Sequence, residues 1–499
     1  MRRFKSECKN YLLTLGIGAL RSYGRHVGVE RPTTKNKEDL IEAIIGILAG
    51  EIPPVPCSKL GAPVLNKHVD PNIIATVEKL RLMYVSEGVF STKPDENGNY
   101  HFPKHDGWVK ELGEMDKRKS MLELNDPNAA EYEGSTRKIH GGQLETLNSV
   151  TLLLPLNCSD SGEKIVVPIE LIHEHDLREG DVVTCYVQRG VNCAIAKEIL
   201  TINGIDLADF RRRSFDESEV VYPYQKIEVY NEKGFSATIL KFLQWILPLG
   251  KGQRGLITSV PKAGKTRFLQ EVAKATTELN PKLKTIALLI DQSPEAVAEY
   301  RKTVKQNNLL YTTYDHDPDR QVFVAEYALK RAKAYAESGK DVLLVVDSFN
   351  ALARAYNDTD ASSGGKMLSC GLESKTVHYL KKYFGAARCF AKGGSLTIFG
   401  AVSTLTGNPA DEYIATELLG LCNMEIRLDE TLAYKRIYPA LDIVKSYAKQ
   451  NEALLSEEEE RVVSYLCNEY VPRFGTERAL RLIEGSGSYE EFKTRLFNS

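Results

Sequence analysis

Apolar positions recur at helical spacing in KNKEDLIEAIIGILAG, where Leu40, Ile41, Ile44, Ile45 and Leu48 fall on one stripe. Asn36 or Lys37 stands near its start, Gly50 ends it, and Pro53-Pro54 opens a linker. Residues 1–52 therefore read as a small helical domain. From 53 to 140 periodicity fades into charge runs (KELGEMDKRKS) and turn clusters (KPDENGNY), which reads as an insertion or linker. Over 141–205 the pattern shortens to strands, SVTLLLPL, EKIVVPIEL, DVVTCYVQRG and CAIAKEILTI, separated by turn residues. Four or five strands in that length suit a small β-barrel of the OB type. A connector, 206–245, follows. From 246 to 499 continuous apolar runs (TIALLID, DVLLVVD, GSLTIFGAV) alternate with helical stretches such as QVFVAEYALKRAKAYAESG. Strands that are apolar on both faces belong to a mostly parallel α/β sheet. The fold class is thus multidomain: an N-terminal helical domain, an OB-type barrel and a C-terminal RecA-like α/β ATPase domain.

Composition changes this picture little. The 499 residues carry a formal charge of -2, which neither favours nor excludes nucleic acid, since a basic channel can hide in a balanced total. No apolar stretch is long enough to span a bilayer. Lys5, Glu7 and Lys9 interrupt the N-terminus, so it carries no signal-peptide hydrophobic region. Nine scattered cysteines without a CxxC read as reduced thiols, and the expected compartment is the cytoplasm. Neither His101 with His105 nor His173 with His175 has a third ligand at metal spacing.

The chemistry concentrates in the C-terminal half. SVPKAGKT, Ser259 to Thr266, fits G-x-x-x-x-G-K-[ST] with Ser259 at the first position. It follows the apolar run GLITSV and opens the helical run TRFLQEVAKA, the strand-to-helix context in which loop N–H groups cradle phosphates. Lys265 would reach the β- and γ-phosphates of a nucleoside triphosphate and Thr266 would ligate Mg²⁺. Asp347 ends DVLLVVD, where a carboxylate suits Mg²⁺; by itself it would read as a turn cap, and the P-loop beside it favours the metal. Asp291-Gln292 ends TIALLID, where P-loop ATPases place a water-activating glutamate. Gln292 can orient water but cannot take its proton, and Glu295 is expected on the following helix.

The segments GKGQRGLITSVPKAGKT, LLIDQSPEAV, DVLLVVDSFNALARAYN, FGAARCFAKGGSLTI and NMEIRLDETLAYKRIYPALD together resemble bacterial transcription termination factor Rho. The resemblance covers about residues 215–455. The N-terminal helices resemble Rho's small helical domain, and KIVVPIELIHEHDLREGDVV resembles part of its cold-shock-like OB domain. It implies a homohexameric ring that binds single-stranded nascent RNA, hydrolyses ATP with Mg²⁺ between subunits, translocates as a 5′–3′ RNA helicase toward RNA polymerase and releases the transcript. It implies a nucleotide pocket of Gly250, Lys251, Gly252, Gln253, Arg254 and Gly255 with Lys262, Ala263, Gly264, Lys265, Thr266 and Arg267, and with Ser293 beside the nucleotide. Arg436 matches an arginine reaching a neighbour's nucleotide. Lys366, Met367 and Gly371 fall in the channel loop that touches RNA.

Departures from the family pattern accompany these matches. Gln292 stands at the catalytic glutamate, Ser293 and Ala351 at arginines, Lys449 near a second trans-acting arginine and Pro409 at a channel-loop lysine. A lysine cannot make the bidentate fork of an arginine. In the barrel, Val150 to Pro155 offers no ring for stacking at Thr151 or Leu153, and Asn192 occupies a tyrosine-like position. Those strands read as plain barrel core. Tyr100, His101 or Arg211 to Arg213 are the residues that could rebuild an RNA surface, and Lys381, Lys382 and Arg388 face a channel only in a ring. Two readings follow: a Rho-type RNA-dependent ATPase, or a catalytically weakened nucleotide-binding ring acting as an RNA- or protein-binding scaffold.

Overall fold

The computed structural model describes most of residues 8–48 with Ile73 and Val77, and residues 138–499 apart from 148–149, 160–162, 190–193, 233, 235–236 and 361–365. The insertion expected over 53–140, with Tyr100, His101 and His105, therefore lies almost wholly outside the described residues, as does Asn192. The chain divides into two compact units, Met1–Gly134 with Gly190–Asn192, and Ser135–Arg189 with Cys193–Ser499.

In the first unit, helices α1 (Ile17–Val27) and α2 (Lys37–Leu48) pack through the apolar stripe seen in the sequence. Asn36 starts α2: its Oδ1 accepts from the Asp39 N–H at 2.8 Å, satisfying one of the orphan donors of a helix start. Leu40, Ile41 and Ile44 are fully buried.

The second unit begins with strands β1 (Lys138–Leu147), β2 (Val150–Leu154), β3 (Ile165–Val166), β4 (Val182–Arg189) and β5 (Ala194–Ile202), plus the short β6 (Ile205–Asp206). The order β3-β2-β1-β4-β5 closes on itself because β3 also pairs with β5. Inward residues Leu144, Leu153, Val183, Cys185, Ala196 and Ile199 fill the interior. Leu153 is thus core, and Thr151 pairs with Thr146 on the outside.

The larger part is a nine-stranded sheet of β7 (Val220–Val221), β8 (Arg254–Ser259), β9 (Lys284–Gln292), β10 (Leu309–Thr313), β11 (Asp341–Asp347), β12 (Arg388–Phe390), β13 (Ser395–Ser403), β14 (Met424–Leu428) and β15 (Leu441–Ala448). The order β10-β9-β11-β13-β8-β14 is parallel throughout, and β15, β12 and β7 join antiparallel. The apolar runs of β9, β11 and β13 are buried on both faces, as helices above and below require. The connector expected over 206–245 is not separate. Val220–Val221 joins the sheet through β12, and helix α3 (Thr238–Trp245) buries Ile239, Leu240, Phe242, Leu243 and Trp245 in the same core as the P-loop helix.

Helix α4 (Lys265–Leu279) follows β8, α5 (Pro294–Arg301) follows β9, and α6 (Pro318–Glu337) follows β10. After β11 come α7 (Phe349–Asp360) and α8 (Ser374–Phe384), and after β13 comes α9 (Pro409–Leu421). One stripe of α6 carries the barrel. Gln143 Nε2 donates to Tyr327 O at 2.8 Å, Tyr327 Oη donates to Pro155 O at 3.0 Å, and Asn203 Nδ2 donates to Ala334 O at 3.1 Å. Lys330 pairs with Glu145 and Glu179. Gly180, with φ of 94°, lies so close that a Cβ there would be 2.4 Å from Lys330 O, so only glycine lets the barrel sit down on α6.

Candidate nucleotide-binding site

The C-terminal ends of the parallel strands β8, β13, β11 and β9 lie along one edge of the sheet, where open α/β sheets bind ligands. At the end of β8 the chain turns through Val260 to Gly264 into α4. Lys262 and Gly264 take left-handed φ values of 67° and 103°. Helix α4 opens on Gly264 without a side-chain cap, leaving first-turn N–H groups for an anion.

Lys265 is 9% exposed, and its Nζ donates to Ser259 Oγ (3.0 Å), Val260 O (3.0 Å) and Ser259 O (3.3 Å). Ser259 therefore does more than replace a glycine; its hydroxyl helps to hold the lysine. Burial pulls the Lys265 ammonium down to about 8, opposed by the nearby Asp347 carboxylate. Burial raises Asp347 in turn, opposed by a hydrogen bond with Thr266 and by Lys265. Asp347 Oδ2 is buried without a hydrogen-bond partner. A hydroxyl and a carboxylate with an orphaned oxygen form a hard-oxygen set that fits Mg²⁺, which takes one or two protein ligands and completes its shell with phosphates and water. Among the described residues no group of three His, Cys, Asp or Glu side chains forms a metal cluster, and this donor set needs none.

A cleft of about 560 Å³ opens from the loop, lined by Lys262, Gly264, Lys265, Thr266 and Arg267. Gln270, Glu271 and Lys274 continue its α4 wall, and Glu299 and Thr303 form the other side. These five were not expected from sequence, because a polar stripe on a helix ordinarily means solvent. Tyr438 was missed as well: it is half-exposed, with its ring 3.7 Å from where a Cβ on Gly264 would lie.

Gln292 ends β9 beside this site, its Nε2 donating to Asp347 O at 3.4 Å. Asp291, with φ of 55°, donates its N–H to Thr312 Oγ1 at 3.3 Å. Glu295 is on α5, as expected, and exposed.

Other expected site residues are placed elsewhere. Gly250, Lys251, Gly252, Gln253, Arg254 and Gly255 stand at the opposite end of β8; five strand steps from Arg254 to Ser259 span about 16 Å. Their polar groups hold the strand entry: Gly250 N–H donates to Gln253 Oε1, Gly252 N–H to Thr397 Oγ1, Arg254 Nε to Leu421 O, and Lys251 pairs with Asp341. The structure does not bring these six residues to the P-loop. Ala263 is core, 1% exposed. Ser293 is spent as the N-cap of α5, its Oγ accepting from Ala296 N–H at 3.2 Å. Ala351 is buried on α7.

Arg436 is exposed with φ of 58°; its N–H donates to Ala433 O at 2.9 Å, while its guanidinium makes no hydrogen bond or ion pair among the described residues, and Lys449 is exposed just past β15. Lys366 and Met367 are exposed on the loop that closes at Gly371, where φ is 86° and the N–H donates to Leu368 O. Pro409 takes the first helical position of α9 after the Asn408 cap. Arg211 to Arg213 do not form a free basic surface. Arg212 binds Asp181 and Glu337, Arg213 donates to Lys392 O and Gly393 O, and Arg211 donates to Phe210 O. Lys381 pairs with Glu417, and Arg388 lies over the Phe215 ring at 4.4 Å.

Residues 240–448 match the nucleotide-binding domain of the ATP synthase alpha/beta family. Transcription termination factor Rho of Bacillus subtilis (strain 168) is 37% identical over 323 residues, covering 64% of this chain and 75% of that protein. Rho of Mycobacterium bovis (strain ATCC BAA-935 / AF2122/97) is 34% identical over 337 residues, 65% of this chain and 55% of its own length. The chain belongs to the Rho family. Rho of Pseudomonas aeruginosa is a further relative, 40% identical over 246 residues that cover 49% of this chain and 58% of that protein. The match spans little more than half the length of the mycobacterial relative. In this Rho-family chain the C-terminal part is a RecA-like P-loop ATPase domain on a mixed sheet. Among the described residues no helix is long and apolar enough to cross a membrane.

Proposed function

We propose that the chain is a Rho-type, RNA-dependent ATPase and 5′–3′ RNA helicase that terminates transcription. In this reading Lys265 and the first-turn N–H groups of α4 bind the β- and γ-phosphates of ATP, while Thr266 and Asp347 hold Mg²⁺. The metal would neutralise charge developing on the transferred phosphoryl group. The observation that carries the reading is the buried Lys265 beside Thr266 and the orphaned Asp347 oxygen, in a chain of the Rho family. Tyr438 provides a ring for the base.

The closed five-stranded sheet is read as an OB-type RNA-binding domain, and α1 with α2 as the Rho-like N-terminal helical domain. Arg436, whose guanidinium makes no ion pair among the described residues, suits a homohexamer in which it reaches a neighbour's ATP. Lys366, Met367 and Gly371 would face RNA in the ring channel, the RNA polymerase elongation complex would be the target, and the cytoplasm the compartment.

The test is ATP turnover with and without pyrimidine-rich single-stranded RNA, against a Lys265→Ala control, with native mass measured with and without ATP. RNA-stimulated turnover above the control supports the motor; its absence sinks it. A second reading, a weakened nucleotide-binding ring acting as an RNA or protein scaffold, is favoured by Gln292. Its amide donates to Asp347 O and it brings no carboxylate to take a proton from water.

A further inference from the structure

Arg331, on α6, is the largest fully buried side chain among the described residues, 1% exposed, and no carboxylate pairs with it. Its Nη1 donates to two carbonyls from different parts of the fold: Leu156 O at 2.8 Å, in the barrel loop after β2, and Asn307 O at 3.1 Å. Nε and Nη2 are buried without partners. The guanidinium lies 6.0 Å from the Tyr327 ring centroid, whose hydroxyl donates to Leu154 O and Pro155 O of the same barrel strand and loop. A buried charge with two idle donors is a poor way to gain stability; apolar side chains of similar volume usually do as well or better. Its placement suggests another use.

Asn307 belongs to the short 3-10 turn Gln306–Asn308 that leads directly into β10. Strand β10 pairs in parallel with β9, and at its far end Thr313 stands opposite Gln292 while Thr312 Oγ1 accepts from the Asp291 N–H. One guanidinium nitrogen therefore holds the barrel's β2–β3 loop and the start of the strand whose end sets Asp291 and Gln292 beside the phosphate site. We infer that Arg331 is a positioning residue that ties occupancy of the barrel to nucleotide turnover, by fixing β10 relative to the β2–β3 loop. The inference rests on the reading of the barrel as the RNA-binding domain. A ligand that shifts the β2–β3 loop moves Leu156 O, and the shared nitrogen transmits the shift to Asn307 and along β10.

The test compares full-length protein with Arg331→Met, the milder Arg331→Lys, and Tyr327→Phe as a control that removes a barrel contact but leaves the Leu156–Arg331–Asn307 bridge. Three quantities are read for each: turnover without RNA, the factor by which single-stranded RNA stimulates it, and RNA affinity by direct binding. A coupling residue predicts unchanged RNA affinity and RNA-free turnover for both Arg331 variants, with the stimulation factor reduced roughly 5-fold or more. Tyr327→Phe keeps normal stimulation. An undiminished stimulation factor in Arg331→Met overturns the inference and leaves the RNA reading intact. Turnover that falls in parallel with and without RNA marks a merely structural arginine and also overturns it. Wild-type protein that binds RNA nowhere and gains no turnover from it removes the RNA reading, and this inference with it.

Discussion

Replacing Gln292 by glutamate asks directly whether the end of β9 is where water is activated. The substitution keeps the side-chain length and loses only the Nε2 donation to Asp347 O, which at 3.4 Å is long and stabilises by less than about 1 kcal/mol. It gains a group able to accept a proton, and a positioned general base contributes about 10²- to 10⁴-fold. Against this, the new carboxylate approaches Asp347, whose own carboxyl is already pushed up by burial. A repulsion of about 1.4 kcal/mol would remove a factor of about ten. The net expectation is a chemical step faster by about 10-fold or more. Single-turnover hydrolysis with excess protein, Mg²⁺ and RNA isolates that step from product release. An unchanged or slower rate with nucleotide affinity intact refutes the assignment, and the proton must then go to another carboxylate such as Glu295.

Nucleotide affinity should depend on pH through Lys265. Its ammonium is held near 8 in the free protein, and a bound triphosphate restores the charge, so binding takes up a proton above about 8. Affinity should fall by up to about tenfold per pH unit from there toward the ordinary lysine value, read by calorimetry in buffers of different ionisation heat; a flat profile contradicts it. Thr266→Ala or Asp347→Asn should abolish the gain in ATP affinity on adding Mg²⁺ while leaving metal-free binding measurable; equal Mg²⁺ dependence would rule out this donor pair. Asp181→Ala should destabilise the second unit by about 1.5–3 kcal/mol in denaturant unfolding, since it removes the charge-assisted bonds of 2.5 and 3.1 Å to the almost buried Arg212, which keeps its pair with Glu337. Lys251→Ala, breaking the half-exposed pair with Asp341, should cost no more than about 1 kcal/mol, and similar values for the two would undo the burial argument.

What could be read in advance was what local chemistry dictates. The stripe of α2, the doubly apolar strands β9, β11 and β13, and the Ser259–Thr266 loop all carry their structural context within a dozen residues. Pairing distant segments was a different matter. GKGQRG joins the expected pocket through the family resemblance, whereas β8 sets it at the opposite end of the strand from the P-loop. Arg211 to Arg213 look like a basic surface until Asp181, Glu337 and the 392–393 carbonyls, all remote in sequence, are brought to them. The cleft wall of Gln270, Glu271 and Lys274 has the pattern of any solvated helix face, and only the approach of α5 makes it a cavity.

The phosphate site itself is now better divided. Lys265, Thr266 and Asp347 are fixed by the ends of β8 and β11 and by one another, so in the proposed reading one chain supplies the phosphate and Mg²⁺ contacts. Turnover draws on groups with weaker support. Gln292 is held by one long hydrogen bond and by the register of β10, an edge strand whose entry is tied to the barrel through Arg331. The exposed Arg436 guanidinium makes no ion pair among the described residues. On the proposed reading such an ATPase binds its nucleotide within one chain but leaves the rate to whatever moves β10 and to the neighbour that Arg436 would reach. Loss of either influence should lower turnover while nucleotide affinity stays the same.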